Sequence, residues 1–130
     1  MENNGKVTGL GGVFFTCDNP EMMNDWYARN LGLPVTEYGA TFEWRQAADP
    51  SKKGTTTWST FPTNTPYFGP SGKPFMISYR VADLTALASQ RGEDGVTIVD
   101  EIAEYEYGKF LHVLDPEGNC IELWEPSDGE

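Results

Sequence analysis

The residues of this 130-residue chain with the clearest capacity for chemistry are one carboxylate and one guanidinium, each in a strand-like segment rich in aromatic residues. Glu122 lies two positions before Trp124, and Arg80 lies four positions after Met76. Because successive residues of a strand point to opposite faces, Glu122 is predicted to share a face with Trp124, and Arg80 with Met76. One interpretation is that Glu122 binds a ligand cation or polar group while Arg80 binds an anionic one. The alternative is an ion pair joining two strands, since buried charges are normally paired.

His112 is the only histidine of the chain. A turn centred near Glu117 would place it across a hairpin from either Glu122 or Leu123, depending on the register. If it faces Glu122, the imidazole and the carboxylate form a pair suited to acid–base catalysis, which makes these two residues the catalytic candidates. If it faces the other side of the sheet, it is a structural histidine.

Aromatic residues share several of these alternating positions. Phe14, Trp58 and Trp124 can stack on a planar ligand or surround a cation, with ordinary core packing as the competing interpretation. Tyr105 and Tyr107 lie in a loop and are predicted at the rim of a cavity. The predicted ligand-binding residues are therefore Phe14, Trp58, Met76, Arg80, Glu122, Trp124, Tyr105 and Tyr107.

These residues belong to segments that occur twice in the chain, at a constant offset. Residues 12–19 align with residues 76–83, and residues 57–62 align with residues 121–126. Each copy thus opens and closes with a strand-like segment. A duplicated small module indicates one shared core and one site between the two halves.

Hydrophobic periodicity and turn residues predict the order strand, helix, strand, strand, strand in each copy. In the first copy the strands are predicted at residues 12–17, 35–38, 41–47 and 55–61, with a helix from Pro20 to Gly32. In the second copy the strands are predicted at residues 76–81, 96–101, 110–114 and 120–124, with a helix beginning near Asp83. The predicted fold class is α+β, with two βαβββ modules forming paired curved mixed sheets around a cup-shaped cavity and the helices outside.

The whole chain, residues 1–130, is predicted to be one domain. Module one covers about residues 8–62, and module two covers about residues 74–126. The connection at residues 63–73 is rich in proline and glycine, and its Tyr67 and Phe68 are further candidates for the cavity rim.

Strand alternation divides the predicted strand residues into two faces. The face predicted to line the cavity comprises Gly12, Phe14, Thr16, Thr56, Trp58, Thr60, Met76, Ser78, Arg80, Cys120, Glu122 and Trp124. The face predicted to lie under the helices comprises Val13, Phe15, Cys17, Ile77, Val81, Ile121 and Leu123. An apolar wall with a few convergent polar groups is typical of a small-molecule site.

Composition narrows the range of partners. The net charge is −11 at pH 7, which argues against nucleic acid and anionic membrane surfaces and is compatible with a cationic ligand. No apolar run is long enough to span a bilayer, and the polar residues 1–6 lack the apolar core of a signal peptide, which predicts a cytoplasmic protein. Cys17 and Cys120 are too few for a disulfide scaffold.

Two groups of residues resemble the vicinal oxygen chelate superfamily, which includes glyoxalases, bleomycin resistance proteins and extradiol dioxygenases. The first is the series GGVFF at residues 11–15, Trp26-Tyr27 and Leu31-Gly32-Leu33. The second is the closing hairpin DPEGNCIELWEP at residues 115–126. This resemblance covers about residues 8–126 and implies paired βαβββ modules around a cavity, and it also implies a homodimer.

In the metal-dependent members of that superfamily, the ligands come from the first and last strands of each module and are usually His, Gln or Glu. The corresponding positions here are Gly12, Trp58, Met76 and Glu122. Only Glu122 can bind a hard or borderline divalent ion, whereas catalytic sites of this type use three protein ligands. The sequence therefore predicts no cofactor, with a divalent metal as the less favoured alternative.

The favoured function is the binding of a small organic molecule, cationic or aromatic, in a metal-free cavity, as the resemblance to bleomycin-binding members implies. The alternative is an enzyme of the same fold, a lyase (as in lactoylglutathione lyase), isomerase or dioxygenase. It would use displaced metal ligands such as Glu122, His112 and Glu43. The sequence leaves open which compound is bound and whether the cavity is catalytic.

Overall fold

A computed structural model describes residues 6–127 of the chain. The strands of the first half are β1 (Val7–Cys17), β2 (Ala40–Arg45) and β3 (Lys53–Pro62), with helix α1 (Pro20–Leu31) after β1. The second half contains β4 (Phe75–Val81), α2 (Leu84–Glu93), β5 (Thr97–Ile98), β6 (Ala103–Tyr105), β7 (Gly108–Leu114) and β8 (Cys120–Pro126). A short 3-10 helix, Gly69–Ser71, lies in the connection between the halves. The fold is α+β, as predicted.

Local sequence signals account for the bounds of the helices. The Asn19 side chain accepts a hydrogen bond from the Met22 amide at 3.0 Å, and Pro20 occupies the first turn of α1. Gly32 ends α1 in the left-handed conformation, with φ at 71°. Asp83 caps α2 in the same way as Asn19 caps α1. The predicted start and end of the first helix and the start of the second are confirmed.

The strands form one eight-stranded sheet in the order β2-β3-β1-β4-β8-β7-β5, with β6 paired to β7. The two halves join edge to edge where β1 runs antiparallel to β4. Within each half the first strand is parallel to the last, so β1 pairs with β3 and β4 pairs with β8. Val13 and Ile77, which are equivalent in the two sequence copies, face each other at this junction. The offset read from the sequence therefore holds for β1 and β4, the two inner strands of the sheet.

For the closing strands β3 and β8, the structural offset is shorter by one position than the offset read from the sequence. Phe14 of β1 pairs with Ser59 of β3. The counterpart of Phe14 in the second half is Ser78, and Ser78 pairs with Glu122 of β8. Ser59 is therefore the counterpart of Glu122. A shift of one position moves every side chain of a strand to the other face. Trp58, predicted to face the cavity, instead packs against Phe15 and Tyr27 beneath α1, with ring centroids 5.6 and 4.8 Å away. Its predicted position was wrong.

Two predicted strands are shorter in the structure. The segment 35–38 forms only an isolated bridge between Thr36 and Gly39, because the Thr36 hydroxyl bonds locally to the Tyr38 amide and the Gly39 carbonyl. The segment 96–101 is reduced to the two residues of β5. Beyond β5 the Asp100 carboxylate accepts a hydrogen bond from the His112 amide, in place of a backbone carbonyl. Strand β6 was not predicted.

Two apolar clusters lie on opposite faces of the sheet. One, under α2, contains Val81, Leu84, Leu111, Val113 and Leu123. The other, on the cavity face, contains Phe14, Phe68, Met76 and Cys120. Met76, predicted to contact a ligand, is completely buried there because Phe68 of the connection folds over it.

Among residues 6–127, no helix has the length and apolar character needed to cross a membrane. The polar residues 1–5, which contributed to the prediction of a cytoplasmic protein, lie outside the described part of the chain.

Gly108 provides a test of the packing between the start of β7 and the end of β8. Its φ is 137°, and a Cβ there would collide with the Glu125 carbonyl oxygen and lie 2.5 Å from Nε1 of Trp124. Gly118 also has a positive φ, at 85°, but has nothing within 4 Å of its Cβ position. We expect Gly118→Ala to cost about 1 kcal/mol of unfolding free energy from backbone strain, and Gly108→Ala to cost about 1–3 kcal/mol more from overpacking. Urea denaturation measures both, and equal losses would contradict the described packing at Gly108.

Candidate functional site

The cavity face of the sheet contains a space of about 340 Å³. Most of its lining is aromatic: Phe14, Tyr38, Phe61, Tyr67, Tyr107, Phe110 and Trp124. Gly11, Thr57, Ser59 and Glu122 complete the described lining. Glu122 is the one charged residue of this set. The volume falls in the range of about 300–1,000 Å³ that is usual for small-molecule sites.

A second space of about 320 Å³ adjoins the first. The two spaces share Tyr67, Tyr107 and Phe110 as lining residues. Asp100, Ala103, Tyr105 and His112 line only the second. The side chain of Tyr67 is therefore part of the partition between two neighbouring spaces.

The predicted ligand-binding residues divide into those the structure brings to these spaces and those it does not. Phe14, Tyr107, Glu122 and Trp124 line the first space, and Tyr105 lines the second. Trp58, Met76 and Arg80 line neither. Of the rim candidates in the connection, Tyr67 lines both spaces, whereas Phe68 is buried in the core.

Glu122 lies in the middle of β8 and is only 3% exposed. The Tyr67 hydroxyl donates a hydrogen bond to its Oε2 atom. His112 is directly opposite Glu122 in the β7–β8 pairing, which decides the register left open by the sequence. Nε2 of His112 lies 3.5 Å from the same Oε2, too loose and misaligned for a formed hydrogen bond but close enough for an ionic contact.

His112 is held on its other side by Asp100. The imidazole Nδ1 lies 2.7 Å from Oδ2 of Asp100, and the His112 amide donates to Oδ1 at 2.9 Å. Burial lowers the pKa of His112, but contacts with Glu122 and Asp100 outweigh that effect and raise the pKa above 6.5. The arrangement favours the imidazolium between two carboxylates. A series of contacts thus runs from Asp100 through His112 to Glu122 and Tyr67, with an ionic contact and no hydrogen bond between His112 and Glu122.

Tyr67 is held by its ring as well as by its hydroxyl. The ring stacks on Phe61 with centroids 5.5 Å apart and planes 1° apart, and it meets His112 edge-on at 5.2 Å. Burial, followed by the charge of Glu122 and the hydrogen bond to it, raises the pKa of Tyr67 far above its ordinary value of 10.0. Tyr67 is therefore a neutral phenol and a hydrogen-bond donor at physiological pH.

Arg80 has a structural environment. It is 1% exposed, and its guanidinium lies 5.5 Å from the ring of Trp44 and 5.1 Å from the ring of Trp124. Its Nη1 donates to the backbone and the hydroxyl of Thr55 at 3.3 and 3.2 Å. The predicted role of Arg80 as an anion-binding residue in the cavity finds no support, and the partners of Glu122 are Tyr67 and His112.

The family model for the Glyoxalase/Bleomycin resistance protein/Dioxygenase superfamily matches residues 9–123, and the chain belongs to this superfamily. Among curated proteins, none matches the chain at a significant level.

Solved structures show the same fold at low sequence identity. One is a variant of Streptomyces coelicolor methylmalonyl-CoA epimerase in complex with 2-nitronate-propionyl-CoA, at 17% identity and a TM-score of 0.69, with 96% of this chain and 99% of that chain covered. Another is methylmalonyl-CoA epimerase from Mycobacterium tuberculosis, at 19% identity and a TM-score of 0.61, with 98% and 93% covered. A third is the Mn(II)-bound glyoxalase from Novosphingobium aromaticivorans, at 18% identity and a TM-score of 0.63, with 93% of this chain but 40% of that chain covered.

The residues present do not fit the metal site that the superfamily implies. The strand pairing gives Ser59, and not Trp58, as the counterpart of Glu122 in the first half, and it places Ser78 beside Glu122 on the inner strand. Among residues 6–127, no group of three or more His, Cys, Asp or Glu side chains is arranged to hold a metal ion. Glu43, proposed as a displaced ligand, is exposed on β2 and lies 3.5 Å from Lys53.

The two carboxylates beside His112 can be tested separately. We expect Asp100→Asn and Glu122→Gln each to lower the pKa of His112, because each removes a negative charge beside the imidazole. The double variant should titrate below 6.5, since burial alone then remains. Because the chain has one histidine, NMR of its imidazole measures this without ambiguity. A pKa that neither substitution changes would show that the described contacts do not form.

The raised pKa of His112 also makes the free energy of unfolding depend on pH. Since the folded-state pKa lies above the unfolded value of 6.5, the imidazolium stabilises the fold fully below about pH 6.5, and this contribution is lost as the pH rises through the folded-state value. We expect the difference in unfolding free energy between the wild type and His112→Gln to fall as the pH rises from about 6.5 through the folded-state pKa of His112. A difference that is constant with pH would contradict the contacts.

Proposed function

We propose that this protein binds a small, planar organic cation in the 340 Å³ cavity without a metal ion. One observation carries the proposal: Glu122, a buried carboxylate, is the single charged residue among the described residues that line an aromatic cavity. Aromatic faces attract cations, and a buried carboxylate provides a stronger and more directional partner than a surface one.

The arrangement of the rings supports a planar ligand. Phe110 and Trp124 stack with planes 5° apart and centroids at 5.9 Å, and Phe61 and Tyr67 form a second parallel pair. Phe61 and Trp124 occupy equivalent positions in β3 and β8, so the two halves each contribute one such wall. Parallel rings provide flat apolar surface on which a planar molecule stacks.

The charge of the whole chain favours the same class of ligand. With a net charge of −11, the protein raises the local concentration of cations and repels anions, although much of this charge also serves solubility. The absence of Arg80 from the cavity lining removes the one guanidinium that the sequence had offered as an anion-binding group.

A second candidate is a proton-transfer enzyme. The observation that favours it is the contact of His112 with Asp100 and Glu122, which places an acid–base pair between the two spaces without a metal ion. Methylmalonyl-CoA can serve as the test substrate, because structures of its epimerase share the fold. Exchange of its α-hydrogen with deuterated water, lost in Glu122→Gln, would favour this candidate over simple binding.

The ligand class can be tested with two dyes that share one planar ring system. We expect the wild type to bind 9-aminoacridine, a cation, about tenfold more tightly than acridine at a mildly alkaline pH where acridine is neutral, a difference of about 1.4 kcal/mol. Glu122→Gln should abolish that preference, and fluorescence titration measures it. Glu43→Gln is the matched control, because it removes the same charge from an exposed position. Equal affinity for both dyes in the wild type would overturn the proposal.

The metal-free part of the proposal has its own test. We expect calorimetric titration with zinc, nickel, manganese or iron to show no stoichiometric tight binding, because Glu122 lacks two further ligands of a catalytic site. Tight binding of one ion per chain, lost in Glu122→Gln, would favour the metal-dependent enzyme instead.

A further inference from the structure

We infer that Tyr67 occupies the ligand's place on Glu122, and that a ligand enters by displacing the Tyr67 side chain with its own N–H donor. The site then selects planar cations that carry N–H groups, such as aromatic amines and amidines, over quaternary cations. This inference rests on the proposed function and names the ligand class more narrowly.

The first support is where Tyr67 comes from. It lies in the connection between β3 and β4, outside every strand of the sheet, yet its hydroxyl reaches the buried Glu122. With Tyr107 and Phe110, it forms the wall between the spaces of about 340 and 320 Å³. Because Tyr67 contacts both Glu122 and His112, rotation of its side chain would open the wall between these two residues.

The second support is how Tyr67 is held. Its ring stacks on Phe61 and meets His112 edge-on, and its hydroxyl donates to Glu122. These are the contacts that a planar aromatic ligand with one hydrogen-bond donor would make. The tyrosine thus shows the shape and the chemistry that this part of the cavity accepts.

The third support is the difference in anchoring between Tyr67 and its neighbour. Phe68 is 3% exposed and belongs to the core cluster, whereas Tyr67 is 40% exposed. The Tyr67 amide donates to the Thr65 hydroxyl at 3.2 Å, which fixes the local backbone. The side chain of Tyr67 can therefore turn towards solvent while the connection stays in place.

The final support is the chemistry of the carboxylate. Oε2 of Glu122 accepts from a neutral phenol, and the nearby Nε2 of His112 has no hydrogen-bond partner among the described residues. A charged N–H group forms a stronger hydrogen bond to a carboxylate than a neutral O–H group does. A cation with N–H groups can therefore replace the phenol. A quaternary cation cannot donate, so on displacing the phenol it would leave the Glu122 carboxylate without that hydrogen bond.

The experiment compares 9-aminoacridine, 10-methylacridinium and acridine on the full chain. We expect Tyr67→Phe to bind 9-aminoacridine about five- to tenfold more tightly than the wild type, because the competing hydroxyl is gone while the ring remains. The wild type should also bind 9-aminoacridine about tenfold more tightly than 10-methylacridinium, because only 9-aminoacridine donates to Glu122 in place of the phenol. Tyr79→Phe is the matched control, since that tyrosine packs against the apolar cluster under α2, on the opposite face of the sheet. Thermal denaturation verifies that each variant is folded.

The outcomes separate this inference from the proposed function. If the wild type prefers the cationic dyes through Glu122 but Tyr67→Phe binds 9-aminoacridine no more tightly, the proposed function stands and the displacement is wrong. Equal affinity of the wild type for 9-aminoacridine and 10-methylacridinium would show that the site does not select N–H donors, which also overturns the inference. If no variant binds any of the three dyes, both proposals fail.

Discussion

The burial of the Glu122 carboxylate is the constraint on which the arrangement of the site depends. A carboxylate removed from water must be met by donors or by positive charge, or it becomes protonated. Here the partners come from two separate parts of the chain: Tyr67 from the connection and His112 from β7. Asp100, beyond β5, then holds the imidazole from behind. The buried charge of Glu122 thus links three separate segments: the connection and β7 directly, and the segment after β5 through His112.

The sequence predicted the fold well because its signals are local and repeated. The caps at Asn19 and Asp83 and the constant offset between the inner strands needed no knowledge of tertiary contacts. The site was harder, because it depends on register. The closing strands are offset by one position less than the inner strands, so the extrapolated face of Trp58 was inverted, whereas the face of Glu122 was correct.

Other residues were missed because nothing in their local sequence distinguishes them. Asp100 lay in a segment predicted to be an ordinary strand, and only the fold shows that its carboxylate bonds to both the amide and the ring of His112. The sequence identified Tyr67 only as a rim candidate, because the path of a proline-rich connection cannot be derived from periodicity. Met76 had the correct face, but the same connection covers it with Phe68.

The divergence of the two halves supports the proposal of a cavity that works without a metal ion. Function depends on the residues of the site. At equivalent positions the two halves now differ: the first half has Ser59 where the second has Glu122, and Phe14 where the second has Ser78. The pseudo-symmetric set therefore holds one carboxylate where a chelating site needs several acceptors. A single buried anion between aromatic walls is poorly suited to hold a divalent ion, which keeps excess charge after one contact. It is better matched to an organic cation of single charge, whose apolar surface the rings of Phe61 and Trp124 can cover.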